Sequence, residues 1–154
     1  MKMVGRMKRR SVAIGLGFAL ALTLAQVSYA TLPPKAEIEA LANQAIDFAY
    51  KCEAGGMTYQ DYNTSYQNLY VAYHKYLDKY PEEPFKPDMD KILNDFDTVR
   101  QTWDMVISGL AGPQMLEEAP QVIASAIADA KDNAKKLLAK TDDAYLFSPL
   151  VLGK

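Results

Sequence analysis

The amino-acid sequence predicts an all-α protein, an up-and-down antiparallel four-helix bundle with an apolar C-terminal tail, and three observations carry that reading. Beyond Pro33 the apolar side chains recur at steps of three and four and not in a sustained alternation of two. The pattern falls into four blocks of about twenty residues, set apart by clusters of Gly and Pro. The links between blocks are roughly four to eight residues long, which leaves no room for a crossover, so neighbouring helices should run in opposite directions. With 154 residues, 49% of them hydrophobic and 23% charged, the chain has the size of one globular domain and can bury a core without staples.

Residues 1–30 do not belong to that domain. Lys2, Arg6, Lys8, Arg9 and Arg10 make a basic start, Ser11 to Leu24 is an uncharged apolar run, and Ser28-Tyr29-Ala30 places small residues before a cleavage point. This is the three-part plan of a secretory signal peptide, and it predicts a periplasmic or secreted protein with no membrane span after cleavage. The run is shorter than the roughly 20 residues of a spanning helix, although extending it to Ala30 reaches that length and leaves an uncleaved anchor as the alternative. The motif that follows the arginines in twin-arginine export is absent after Arg10, and no Cys stands at the cleavage point to receive a lipid.

Cleavage would remove five basic residues and no acidic ones, leaving twelve basic against nineteen acidic side chains, a net charge of −7. So acidic a chain is a poor binder of nucleic acid or anionic lipid, and its partners should be neutral or basic. Cys52 is the one cysteine, so an internal disulfide is impossible; it reads as a small buried residue, with a disulfide dimer of two chains as the alternative.

The four elements follow in order. Pro33-Pro34 suits the start of the first helix and Gly55-Gly56 its stop, with Ile38, Leu41, Ala45, Phe48 and Cys52 on one face. The second opens on Thr58, an N-cap candidate with Asp61 three residues on, and ends before Pro81. The third starts near Pro87-Asp88 and carries an unbroken apolar seam from Met89 through Ile92, Phe96, Val99, Trp103 and Val106 to Leu110. In the fourth block Pro120 predicts a short turn over 114–119 and a main helix after it, Ala-rich and reaching Lys140. The division is thus a signal peptide at 1–30, a bundle at 31–140 and a tail at 141–154 that is too apolar for a solvated end and should dock on the bundle.

The second helix carries tyrosines at 59, 62, 66, 70, 73, 76 and 80, and at 100° per residue all seven fall within an arc of roughly 120°. The plain reading is a core face. Against it stands the cost of burying phenols, on the order of 1 to 3 kcal/mol for each hydroxyl left unpaired. Tyrosine is favoured where one end of the side chain is apolar and the other wet, as at a protein interface. Tyr62, Tyr66, Tyr70 and Tyr73 are therefore the candidate binding residues. Arg100, the one arginine after residue 30, falls inside the apolar arc of helix three and joins them. It needs Asp104, an aromatic ring or a ligand anion as a partner.

Catalytic and metal chemistries find little to work with. Cys52 and His74 should lie some 20 Å apart along a helical hairpin, too far for a nucleophile and its base. Covalent haem needs C-x-x-C-H and a di-iron bundle needs two E-x-x-H motifs, but one His exists and Val71 stands three residues before it. Non-covalent haem on His74 and Met89 is the one cofactor arrangement left, and a solvated histidine accounts better for His74. Glu82-Glu83, Glu117-Glu118 and Asp142-Asp143 read as charges for helix ends and solubility. No phosphate loop or hydrolase motif occurs. The expectation is a non-enzymatic exported protein without metal or cofactor, an accessory or inhibitory subunit that docks an envelope protein through the tyrosine face. The alternatives are a carrier that binds an anionic organic ligand between helices two and three, and an envelope chaperone.

Overall fold

A computed structural model describes residues 32–151, which form four α-helices: α1 (Lys35–Glu53), α2 (Tyr59–Lys79), α3 (Lys86–Ile107) and α4 (Pro113–Val151). The expected signal peptide at 1–30 lies outside the described residues, as do residues 152–154 and the side chains from Phe147 onward. No described helix is long and apolar enough to cross a membrane.

The first two links follow their sequence signals. Gly55 and Gly56 both take φ of +77°, a left-handed conformation open to residues without a Cβ, and turn the chain out of α1. Thr58 then caps α2 through a reciprocal pair: its hydroxyl accepts from the Asp61 N–H at 3.1 Å, and the Asp61 carboxylate accepts from the Thr58 hydroxyl and N–H.

Cross-helix bonds fix the directions. Lys79 at the end of α2 reaches Glu37 at the start of α1, and Tyr59 at the start of α2 bonds Asp104 near the end of α3. Lys140 meets Asp88, Asn133 meets Asp95, and Lys35 meets Asp142, so α4 runs opposite to both α3 and α1. Neighbours are thus antiparallel, as links of five or six residues require.

Side-chain size decides how closely the helices approach. Ala42, Ala45 and Ala49 on α1 and Ala126, Ala130 and Ala134 on α4 are all buried, and α4 packs tightly against α1 and α3. Helix α2 stands further off because four of its five buried residues are tyrosines. Between them Phe48 lies 4.9 Å from the Tyr62 ring and 4.6 Å from Phe96, measured between centroids, and fills the centre.

Several sequence expectations need correction. α4 does not break at Pro120, and no separate turn precedes it: the helix begins at Pro113 and continues past Lys140 to Val151. Pro120 and Leu116 are both exposed, so the carbonyl that loses its N–H partner faces water, where the loss is small. The start of the expected tail is accordingly more α4: Thr141 is fully buried with its hydroxyl donating to the Leu137 carbonyl, and Tyr145 donates to the carbonyl of Pro33. Leu110 is not part of the helix three seam, because α3 ends at Ile107 and Leu110 is 80% exposed. Trp103 is half-buried, since it sits where the covering helices give out. Glu83 is not a solubility charge: it is 6% exposed, folded under the α2–α3 link.

The close seam on α4 should tolerate no added volume. Ala130→Leu is expected to destabilise the fold by about 1–3 kcal/mol through overpacking, read from urea unfolding followed by circular dichroism.

Candidate functional site

Most tyrosines of α2 meet an oxygen acceptor. Tyr59 donates to Asp104 at 2.9 Å, Tyr73 lies 2.8 Å from the Asp90 carboxylate and 3.2 Å from the Lys86 carbonyl, and Tyr66 between them packs beside Asp97 and the Arg100 guanidinium. Seven residues along α2 are matched by seven residues back along α3, so three tyrosines face three aspartates across the antiparallel pair, with the outer two hydrogen-bonded. Tyr62 donates to the carbonyl of Phe96 at 2.6 Å, Tyr76 to Glu83 at 3.0 Å and Tyr80 to Glu37 at 3.1 Å. The cost that argued for wet tyrosines is therefore offset within the chain, because the buried phenols of Tyr62, Tyr73 and Tyr76 each have an acceptor.

Of the expected binding residues, Tyr62, Tyr66 and Tyr73 are consequently core residues, at 0%, 6% and 1% exposure. Burial first, then neighbouring carboxylates, pushes the Tyr66 hydroxyl up to about 12 and raises those of Tyr62 and Tyr73 further, so all three stay protonated donors. Tyr70 remains on the surface at 40% exposure, its ring 4.2 Å from that of His74 and 6.1 Å from that of Tyr66.

Arg100 finds its partner on its own helix. Its Nε donates to Asp97 at 2.7 Å, its Nη1 lies 3.9 Å from Asp104, and its guanidinium stands 6.0 Å from the Tyr66 ring centre. Burial would raise the Asp97 carboxyl, but bonds from Arg100 and Gln101 outweigh it and hold the group below its ordinary value. The same side chain rims a shallow cleft of about 350 Å³ with Gln101, Asp104, Met105, Ser108 and Leu110. Tyr70, Tyr66, Arg100 and Leu110 thus lie along one strip on the outer seam of α2 and α3. Leu110 is the member that sequence reasoning misplaced in the core.

The geometry also bears on the other chemistries. The described clefts between helices lie between α1 and α2, lined by polar residues such as Asn43, Gln44, Asp47 and Asn68, and not between α2 and α3. The Arg100 charge expected to meet a ligand anion already meets Asp97. His74 is exposed against Tyr70 while Met89 is 1% exposed in the core, so the two do not face a common cofactor. Among the described residues no group of three or more His, Cys, Asp or Glu side chains is placed to hold a metal. Cys52 is half-buried with its thiol 3.8 Å from the Met57 sulfur. Burial, with Glu53 second, pushes it up to about 11, which disfavours the thiolate that a disulfide dimer needs to form.

One functional group lay hidden in a charge pair. Glu83 Oε2 accepts from the Tyr76 hydroxyl and from the Phe85 N–H at 3.1 Å, whereas Oε1 is buried without a hydrogen-bond partner. Burial raises its pKa, Asp88 and Asp90 of α3 add to the rise, and the two donors only partly counter it. Its signal in the sequence was position alone, a glutamate between Pro81 and Pro84 in a link too short to stand away from the core.

No family model, curated protein or solved structure matches the chain.

Two outcomes are expected. Tyr73→Phe should cost about 1–3 kcal/mol by leaving the Asp90 pair without its phenol, while Tyr70→Phe should change stability by less than about 0.5 kcal/mol, both from urea unfolding. The folded chain holds the Glu83 proton to a higher pH than the unfolded chain does. Its contribution to stability is therefore complete below the ordinary value of 4.5 and is lost as pH rises through the raised folded value. Glu83→Gln should flatten that decline; an unchanged pH profile from acid to neutral would remove Glu83 as its source.

Proposed function

We propose that this chain is an exported, non-enzymatic binding protein, an accessory or inhibitory subunit that docks a protein of the cell envelope through the outer seam of α2 and α3. The reading takes residues 1–30 as a leader removed on export and the remainder as an up-and-down four-helix bundle in the periplasm or outside the cell. One observation carries it: Tyr70, Val71 and Leu110 are exposed at 40%, 46% and 80%, along a seam where every other α2 tyrosine is engaged in the fold.

The chemistry of the strip suits a protein partner. Tyr70 already packs at a tilt against His74, with ring centres 4.2 Å apart, so it offers a large ring with little side-chain entropy left to lose on binding. Arg100 is held by Asp97 and keeps only part of its surface open, so it supplies a positioned charge at the middle of the strip and not a mobile one. Leu110 stands at the edge of the cleft beside Arg100, an apolar anchor that costs about 25 cal/mol per Å² for as long as water covers it. The docking surface is thus the strip from Tyr70 through Arg100 to Leu110, in place of the full tyrosine stripe that the sequence suggested.

Native mass spectrometry on the protein extracted gently from its source envelope is the direct test. A stable complex with one defined polypeptide is expected, weakened at least tenfold by Tyr70→Ala combined with Leu110→Asp while the helical signal and thermal unfolding stay unchanged. A bare monomer, or a complex indifferent to both substitutions, rejects this surface.

A further inference from the structure

The core stripes of α3 and α4 run on past the helices that cover them. Glu53, the last residue of α1, pairs with Lys131, whereas α4 begins at Pro113, so about 27 Å of α4 lies beyond the end of α1. Helix α2 begins at Tyr59, which bonds Asp104 three residues from the end of α3. On α4, positions 116, 119, 123, 126 and 130 follow at steps of three and four and form one face. That face is buried at Ala119, Ala126 and Ala130, half-buried at Ile123 and 50% exposed at Leu116, so the small alanines form its floor and the larger side chains stand open. On α3 the corresponding face passes from buried Phe96 and Val99 to half-buried Trp103 and Val106, with Ile107 beside it 58% exposed.

The charge free to pair at this end is acidic. Residues 101–128 contain Asp104, Glu117 and Glu118 and no Lys or Arg, and Arg100, which borders them, is held by Asp97 at 2.7 Å and lies 3.9 Å from Asp104. An apolar seam between two helices, open where α1 stops and flanked on α4 by Glu117 and Glu118, has the form of a seat for a third helix. A second copy of the chain would bring its own Glu117 and Glu118 against these two, which disfavours self-association.

We propose that this end of the α3–α4 hairpin seats an amphipathic helix of a protein partner, lying where α1 would continue, with an apolar face and flanking Lys or Arg. Beyond the level of Glu53, α4 continues for about 18 residues and α3 for about ten, so about the first ten residues of the bound helix lie against both. This surface is separate from the Tyr70 strip and stands without it.

The probe is an 18-residue peptide of Leu and Lys placed at helical period, with a Leu/Glu peptide of the same pattern as its counterpart. Trp103 is the one tryptophan of the chain, so its emission in the purified protein reports the seat alone. Saturable binding of the Leu/Lys peptide and none of the Leu/Glu peptide is expected. Ile107→Glu with Leu116→Glu should weaken binding at least tenfold, as should Glu117→Lys with Glu118→Lys. Circular dichroism checks that each variant keeps its helices. Asp78→Lys, on α2 at the opposite end, should leave binding within twofold. Equal binding of both peptides, indifference to the Ile107 and Leu116 pair, or equal loss from Asp78→Lys overturns the proposal. So does a concentration-dependent dimer that the Ile107 and Leu116 pair abolishes, since it would make the occupant a second copy.

Discussion

The pairing of α2 phenols with α3 oxygens is the constraint on which the rest of the structure depends. Tyr59, Tyr66 and Tyr73 face Asp104, Asp97 and Asp90, and Tyr62 reaches the Phe96 carbonyl between them. A face of tyrosines can be a core face only if its hydroxyls are answered, and a carboxylate answers one more strongly than a neutral acceptor does. This requirement sets the register of α2 on α3 and keeps α2 at a distance that two rings can span. It also accounts for the asymmetry of the bundle. Alanine lets α4 approach α1 and α3 closely, while tyrosine holds α2 away and leaves the polar grooves between α1 and α2.

The same constraint decides what is left for function. Once the acceptors on α3 have taken their tyrosines, Tyr70 is the exposed phenol of α2 left without one, and it lies at the edge of the seam with His74 against it. Arg100 is shared between Asp97 and the Tyr66 ring, which removes it as a receptor for a free anion and makes it part of a fixed surface. A carrier would need rings that open onto a cavity, whereas the rings of Tyr62 and Tyr73 are buried and bonded. Among the apolar side chains that stay outward are Tyr70, Val71 and Leu110 of the strip and Ile107 and Leu116 at the end of the α3–α4 hairpin.

Glu83 belongs to the same economy at the other end of the molecule. Tyr76 and the Phe85 N–H hold one of its oxygens, and the other has no partner in a link packed beneath α2 and α3. The raised carboxyl makes the base of the bundle sensitive to pH in the sense opposite to the surface aspartates. Asp90 and Asp97 are held low by Lys86, Tyr73 and Arg100 in spite of their burial, so they favour the folded chain until acid protonates them.

Helix periodicity, the Thr58 cap and the Gly55-Gly56 turn were legible in the residues alone, because each is a local property of a few neighbours in the chain. The antiparallel order of the helices followed from the short links. The partners of the tyrosines were partly legible: Asp90, Asp97 and Asp104 are spaced by seven, as are Tyr59, Tyr66 and Tyr73, and two heptad rows of complementary chemistry are a cross-helix pairing. Nothing local distinguishes Tyr70 from Tyr73 or Leu110 from Val106, since each continues the same pattern as its neighbour. Burial is a property of what lies opposite, and only the tertiary structure decides where α1 stops, where the α3 acceptors fall and how far α4 runs past both. Pro120 and Glu83 were misread for the same reason. A proline is tolerated in a helix where its orphaned carbonyl meets water, and a charged residue in a link is buried when the two helices it joins close over it.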